Sequence, residues 1–328
     1  MSKTNYKYCV AIRTLGLAGE KFQQELNSLI NQTIPPYKIF VYIAEGYDLP
    51  KETVGIEEYI YVKKGMISQR ALPYNEIDTE FTLLLDDDVH LETDAVEKLI
   101  IGLIEHNGDC IAADTFKNQD MSITSKIKAF ASNLAIPHYD NNWAFKIRRN
   151  ASFSYNNNPT NDIYQSQSAA GPASLWRTQV LKEIRFSDEL WLDKFGFAYG
   201  EDLLLFHKLY LNGYNLLVHY DCGITHLDAQ SSRSKYNQDT KKLLNRAQIW
   251  LLLWFRICYS PCKSNMQKIK AIISFSIKGV WGFFIHCLYA LYRFDYRPII
   301  YYIQGNLLGI KTLRSDEFKS IPNFIIKE

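Results

Sequence analysis

Leu83-Leu84-Leu85 runs straight into Asp86-Asp87-Asp88. Three consecutive carboxylates at the end of an apolar run repel one another, and the grouping is unfavourable unless a cation or another positive group offsets it. Hard oxygen donors of this kind suit Mg²⁺ or Mn²⁺, which also bind phosphate oxygens. The plain alternative is a solvated turn between strand and helix, whose aspartates favour the helix N-terminus that follows. Cysteine offers no rival metal set. Cys9, Cys110, Cys222, Cys258, Cys262 and Cys287 are scattered. Cys258 and Cys262 are four apart, but no second pair completes a zinc site. Reduced, mostly buried thiols are expected. His90, His106 and His207 have no partner at metal-ligand spacing.

The elements that must hold the triplet can be read from periodicity. Residues 8–13 form a short apolar run that reads as a buried strand, followed by a loop over 14–19. Residues 20–33 place Phe22, Leu26, Leu29 and Ile30 at helical spacing, and Pro35-Pro36 stops that helix. Residues 39–43 read as a second strand and 60–62 as a short third. A helix is expected over 68–75, with Pro73 near its end. Residues 81–85 are the next buried strand, ending on Asp86. Residues 93–105 carry apolar side chains at 96, 99, 100, 103 and 104, an amphipathic helix capped by Thr93. Residues 117–168 are polar and read as loops or an insertion. Regular structure resumes over 173–184 and over 202–212, the latter a helix closed by Gly213. Strands alternating with helices argue for an α/β protein with a mostly parallel sheet. Ligands bind such sheets beyond the carboxyl ends of the strands, where the triplet lies.

The chain has 328 residues, 47% hydrophobic and 22% charged, which allows a sizeable core and excludes wholesale disorder. Its net charge of +2 hides a split. Residues 1–228 carry 21 Lys+Arg against 30 Asp+Glu, and residues 229–328 carry 16 against 5. An acidic front joined to a basic, aromatic back implies two environments. Residues 249–257 and 271–292 are strongly apolar, interrupted by Arg256, Lys278 and His286. The first is too short to span a bilayer; the second has the length but carries a lysine. Basic residues beside Trp, Phe and Tyr suit helices lying on an anionic membrane surface. A helical cap packed on the front domain and a true span are the alternatives. The opening MSKTNYKYCVAI lacks the apolar segment of a signal peptide, so a cytoplasmic location is expected, peripheral at the inner face of the cell membrane. No nucleic-acid partner is expected.

Other uses of an acidic pair fit poorly. No G-x-x-x-x-G-K-[ST] occurs, which excludes a P-loop. A phosphatase of the haloacid dehalogenase type wants Thr or Val where this chain has His90. The stretch TLGLAG is too poor a match to the glycine-rich phosphate loop of a nucleotidyltransferase. Over about residues 8–228 the chain instead resembles family 2 glycosyltransferases. The resemblance rests on motifs in the family's order. CVAIRTLG is similar to the opening strand and its loop, FVYIAEGY to the second strand with its acidic turn, and KGMISQRALPYNEIDTEFTLLLDDD to the Gly…Arg segment leading to Asp-x-Asp. GPASLWRTQVLKEIRFSDEL resembles the acceptor-side segment, and FAYGEDLLLFHKLYLNGYNLLV the Glu-Asp motif, helix and Gly-Tyr strand. Arg13 stands where the family usually has Pro, and Glu45 where it usually has Asp.

The resemblance implies a GT-A fold, a Rossmann-like, mostly parallel sheet flanked by helices, over 1–228. A basic, aromatic helical extension follows over 229–328. It implies transfer of a sugar from a nucleotide-diphosphate donor to an acceptor hydroxyl, with inversion, in building cell-surface polysaccharide. By the same resemblance Thr14, Glu45, Arg70, Asp86 and Asp87 approach the nucleotide sugar. Asp88, Asp86 and His226 (from GITHLD) hold a divalent metal, Mn²⁺ or Mg²⁺. Asp202 is the catalytic base, with Glu201 the other candidate. The acceptor is a saccharide or a lipid-linked saccharide. Trp176, Trp191 and Phe195 could stack on a sugar face or belong to the core. The other reading is a membrane-associated binding protein that keeps the fold without activity.

Overall fold

A computed structural model describes residues 6–115, 142–195, 199–227, 240–324 and 326. Four parallel strands form one half of its main sheet, in the order β3-β2-β1-β4: β1 (Tyr8–Thr14), β2 (Lys38–Ala44), β3 (Glu57–Val62) and β4 (Phe81–Asp86). Further along the chain come β5 (Val89–Leu91), β6 (Cys110–Ala113), β7 (Phe145–Ile147), β8 (Phe153–Tyr155), β9 (Ile163–Gln165), β10 (Ala173–Arg177), β11 (Leu216–His219) and β12 (Ile224–His226). The full order is β3-β2-β1-β4-β10-β6-β11-β9. Strand β10 runs antiparallel between β4 and β6, and β9 antiparallel on β11. The protein is α/β, with a mixed, mostly parallel eight-stranded sheet and a helical C-terminal region.

Alternation along β1 sorts the core. Tyr8, Val10 and Ile12 face one side, where they meet Phe22, Leu26 and Leu29 of α1 (Glu20–Ile30) and Val96, Leu99, Ile100 and Leu103 of α2 (Ala95–Glu105). Cys9 and Ala11 face the other side. There the cover comes from α3 (Thr178–Glu183), α4 (Glu201–Leu211) and α5 (Thr240–Trp254). Successive strand residues point to opposite faces, so a strand buried on both sides reads as an unbroken apolar run.

Several expectations are corrected. Residues 68–75 form no helix among the described residues. Residues 66–70 make one turn, and the Asp193 carboxylate accepts from Ile67 N and Ser68 N (both 2.9 Å) and from Ser68 Oγ (2.7 Å). Pro73 then forbids continuation. Thr93 does not cap α2; Asp94 holds that position without a side-chain bond. Ile30 is exposed. Within 117–168, residues 116–141 lie outside the described residues, and the rest holds the β7–β8 hairpin and edge strand β9. Trp176 is fully buried and stacked on Phe206, Trp191 is buried against Phe318, and Phe195 packs on Trp191, so all three serve the core.

The C-terminal region continues through a π-helical turn (Phe255–Tyr259), α6 (Asn265–Arg293), α7 (Arg297–Leu313) and α8 (Asp316–Lys319). Ser264 and Gln267 form a reciprocal capping box that starts α6. Helix α7 lies on α5 through Gly305 and Gly309. A Cβ at Gly305 would stand 2.3 Å from the Leu244 carbonyl oxygen, so only glycine allows this approach. Helix α5 belongs to the same core as α4, with Ile249, Leu252 and Leu253 fully buried. A buried ion cluster adds to the joint. Glu189 accepts from Arg256 Nη2 (2.6 Å) and Trp191 Nε1 (2.8 Å) and pairs with Lys208 of α4 (3.3 Å).

Candidate active site

The register of β1 on β4 sets Arg13 beside Asp86, the last pair of that ladder. Arg13 Nε donates to Asp86 Oδ1 at 2.5 Å. One residue on, Thr14 Oγ1 donates to Asp87 Oδ2 at 2.5 Å and accepts from Gly16 N at 2.7 Å. Asp88 turns a third way, toward His226. The chain therefore separates three adjacent carboxylates by giving each its own partner. Asp87 is buried, and burial pushes its pKa up to about 6, with its acidic neighbours adding to the rise and the Thr14 bond opposing it.

A polar row on α1 and the bend that follows it supports the turn from behind. Glu25 Oε2 accepts from Val89 N (3.1 Å), Ser28 Oγ from Leu91 N (3.3 Å) and Gln32 Oε1 from Val96 N (3.1 Å). Residues 25 and 28 share one helix face, with 32 just beyond the helix, and their oxygens satisfy backbone donors of β5 and α2 that the main sheet does not reach. Glu25 is fully buried, and its other oxygen has no hydrogen-bond partner among the described residues. Burial holds its carboxyl well above the usual range, and the nearby triplet raises it further.

His226 arrives on the ribbon β5–β12, where it pairs in register with Val89. Its Nε2 lies 3.0 Å from Asp88 Oδ1, and Leu227 N donates to Asp88 O at 2.8 Å. The side chain of His226 remains 34% exposed and that of Asp88 9%, so the pair is reached by solvent from the histidine side.

Asp202 comes from a different element, the first turn of α4. Arg70 Nη1 donates to Asp202 Oδ1, and Arg70 Nη2 stands 3.9 Å from Asp86 Oδ1. The loop that carries Arg70 is the turn fixed by Asp193. Gly171 lies beneath this contact: a Cβ there would fall within 2.5 Å of both Asp202 and Arg70. Its position is set by Pro172, whose carbonyl accepts from Asp86 N at 2.9 Å. Burial raises the pKa of Glu201 and of Asp202; for Asp202 the Arg13 charge opposes the rise and Asp86 adds to it. Leu253 of α5 packs on Gly200, immediately before this acidic pair.

A narrow cleft is lined by Arg13, Tyr42, Gln69, Arg70, Asp86 and Gly171, among others. Of the residues expected from the sequence, Arg70 and Asp86 line this cleft, and Asp202 joins them through its bond to Arg70, with Glu201 beside it in sequence. Asp88 pairs with His226, whereas Asp86 is held by Arg13, so the expected three-ligand set of Asp88, Asp86 and His226 is not assembled among the described residues. Thr14 and Asp87 bond each other. Glu45 stands exposed past the end of β2, two strands away from β4. Sequence reasoning missed Arg13 as the partner of Asp86, Glu25 as the support and Asp193 as the anchor of the Arg70 turn. Only Glu25 left a signal, a charge placed between Phe22 and Leu26 on the buried stripe of α1.

Asp88 and His226, paired with each other, could supply two donors to a divalent cation. Two ligands at about 2.1 Å on adjacent corners of an octahedron lie roughly 3 Å apart, and Asp88 Oδ1 and His226 Nε2 are 3.0 Å apart. Among the described residues no group of three or more His, Cys, Asp or Glu is placed to hold a metal ion. Two protein ligands with further positions left to phosphate oxygens and water is the pattern expected of Mg²⁺-type sites that bind substrate phosphates. No protein-family model matches the chain, and no curated protein matches it in sequence.

Proposed function

We propose that the chain is a metal-dependent glycosyltransferase of GT-A type, transferring a sugar from a nucleotide diphosphate to an acceptor hydroxyl with inversion. The observation that carries this reading is that Arg70 draws together carboxylates from two different elements. Asp86 and the Asp88–His226 pair stand at the carboxyl end of β4, and Asp202, bonded to Arg70, stands at the start of α4. Such a division separates leaving-group stabilisation from deprotonation, the two tasks that glycosyl transfer needs.

Asp88 and His226 would hold the cation, Mn²⁺ or Mg²⁺, which when bound offsets negative charge on the diphosphate. Arg70 and Arg13 supply the remaining positive charge. In the free protein Arg70 is tied to Asp202, so it must turn toward the diphosphate before Asp202 can act. Asp202 then accepts the proton of the acceptor hydroxyl as that oxygen bonds the anomeric carbon. The bond from that carbon to the diphosphate oxygen breaks, its electron pair leaving with the nucleotide. A single displacement inverts the anomeric configuration. A carboxyl whose pKa is raised by burial is a better proton acceptor near neutral pH than an ordinary aspartate. The donor is a nucleotide-diphosphate sugar, and the acceptor a saccharide or lipid-linked saccharide of the cell surface.

The test is a thermal-shift screen of nucleotide sugars with and without Mn²⁺, since a ligand of the native state raises its melting point. A nucleotide sugar that stabilises the protein only with the metal is expected. The reading falls if no nucleotide sugar shifts the melting point, or if chelation leaves every shift unchanged.

A further inference from the structure

Among the described residues, nothing packs over the outer surface of the α6–α7 hairpin. From Ile272 to Tyr292 every exposed side chain except Ser276 is apolar or aromatic, and none is charged. On α7 the exposed residues from Ile300 to Ile310 repeat this, with Gln304 the one polar side chain among them. Helix α6 is long and apolar enough to cross a membrane. Monomeric soluble proteins rarely leave a contiguous apolar patch of this extent in water.

The inner side of the same hairpin is different. Ala271, Phe275, Lys278, His286 and Ala290 share one face of α6 and turn inward. Phe275 stacks on Trp254 with ring centroids 4.4 Å apart. Lys278 Nζ sits 3.8 Å from the centre of the Trp250 ring and donates to the Asn150 carbonyl at 3.2 Å. His286 stacks on Tyr302 of α7. Because Asn150 belongs to the loop between β7 and β8, a membrane-crossing α6 would drag that loop into hydrocarbon. The hairpin can therefore lie in one leaflet but not span.

Its tip carries a further signal. Phe294 closes α6 with a φ of 52°, a conformation for which helices favour glycine, and its side chain is 98% exposed. Leu291 (72%), Tyr292 (80%) and Tyr296 (70%) surround it, and Arg293 and Arg297 flank it. Strained backbone that presents an aromatic ring to water makes sense when something apolar receives the ring.

We infer that this face docks on a lipid bilayer rich in anionic headgroups, with the hairpin lying in the interface and the Leu291–Tyr296 tip inserted. Charge selects lipid over a second copy of the chain. Residues 240–315 carry 12 Lys+Arg and a single acid, Asp295. Two such faces pressed together would oppose Lys270 and Arg293 across the contact, and the single acid of this stretch, Asp295, is already taken by Arg297, whereas anionic headgroups attract each cation. Aromatic rings beside arginines are the side chains that settle at the headgroup level.

The experiment is co-sedimentation of the full chain with vesicles of phosphatidylcholine, alone or with one third phosphatidylglycerol, at low salt. No nucleotide sugar is present, so the result stands apart from the glycosyl-transfer reading. Expected is binding to the anionic vesicles at least about tenfold tighter than to neutral ones, from several cations each adding to the attraction. A variant with Leu291→Glu and Phe294→Glu should lose about tenfold or more of that binding, with an unchanged melting curve because both side chains are exposed. The proposal is overturned if the chain ignores anionic vesicles. It is also overturned if the double variant binds as well as the parent, or if the free chain is a homodimer that this variant dissociates.

Discussion

At the scale of single residues, the site keeps its like charges apart by supplying a different partner to each, and that arrangement predicts how variants separate. Asp88→Asn and His226→Ala should abolish the Mn²⁺-dependent melting shift and lower transfer by about 10²–10³, the usual loss when a group stabilising developing charge is removed. Asp202→Ala should lower transfer by roughly 10²–10⁴ while keeping that shift, because only the proton acceptor is gone. Initial rates and melting curves on the same preparations distinguish the two classes. The raised carboxyls make a separate prediction for the metal-free protein. Glu25, Asp87, Glu201 and Asp202 all have folded pKa values above their ordinary ones. Between about pH 4 and the raised values the folded state holds more protons than the unfolded, so stability falls as pH rises through that window. For Asp87 the window closes near pH 6, and Glu25 contributes in the same direction. Melting in chelator should occur at lower temperature at about pH 7 than at about pH 5, and Glu25→Gln should flatten the difference. An unchanged slope in that variant would exclude Glu25 as a contributor.

At the scale of elements, the four parallel strands of the front half were legible, and the short strands β5 to β9 and the turns were not. β1, β2 and β4 announce themselves because both faces are buried, and each ends within a residue or two of the boundary read from the apolar run. The 68–75 segment misleads because its helix-like spacing is local, whereas its conformation is set by Asp193 from more than a hundred residues away. Thr93 looked like a cap because type and place agreed, yet its carbonyl is engaged by Thr33 N. The acidic triplet, Asp202 and His226 could be found from residue types in order along the chain. The Arg13–Asp86 pair could not, because it depends on strand register. The α5–α7 contact gives the prediction for this scale. Gly305→Leu must push α7 off the Leu244 carbonyl, and should destabilise by about 1–3 kcal/mol, the typical cost of overpacking. Urea unfolding followed by circular dichroism measures it.

At the scale of the molecule, the charge split along the chain does not mark a loose appendage. Glu189 of the front half has no exposure and takes its guanidinium from Arg256 of the back half. Arg256→Leu should therefore cost about 3 kcal/mol, in the range for a buried carboxylate that loses its counter-ion. Lys208 stays in place to moderate the loss. An effect near zero on the urea midpoint would mean that the two halves hold together by apolar packing alone.

The contact of Arg70 with Asp202 and its approach to Asp86 have one more consequence. On the proposed reading the empty protein already satisfies its own guanidinium, so an incoming diphosphate exchanges one anionic partner for another. Affinity then rests on the difference between two ion pairs, and a lone phosphate or sulfate, too small to reach both the metal ligands and the arginine, gains little by displacing a carboxylate. The internal pairing acts as a threshold that favours long, doubly charged ligands over the small anions of the cell.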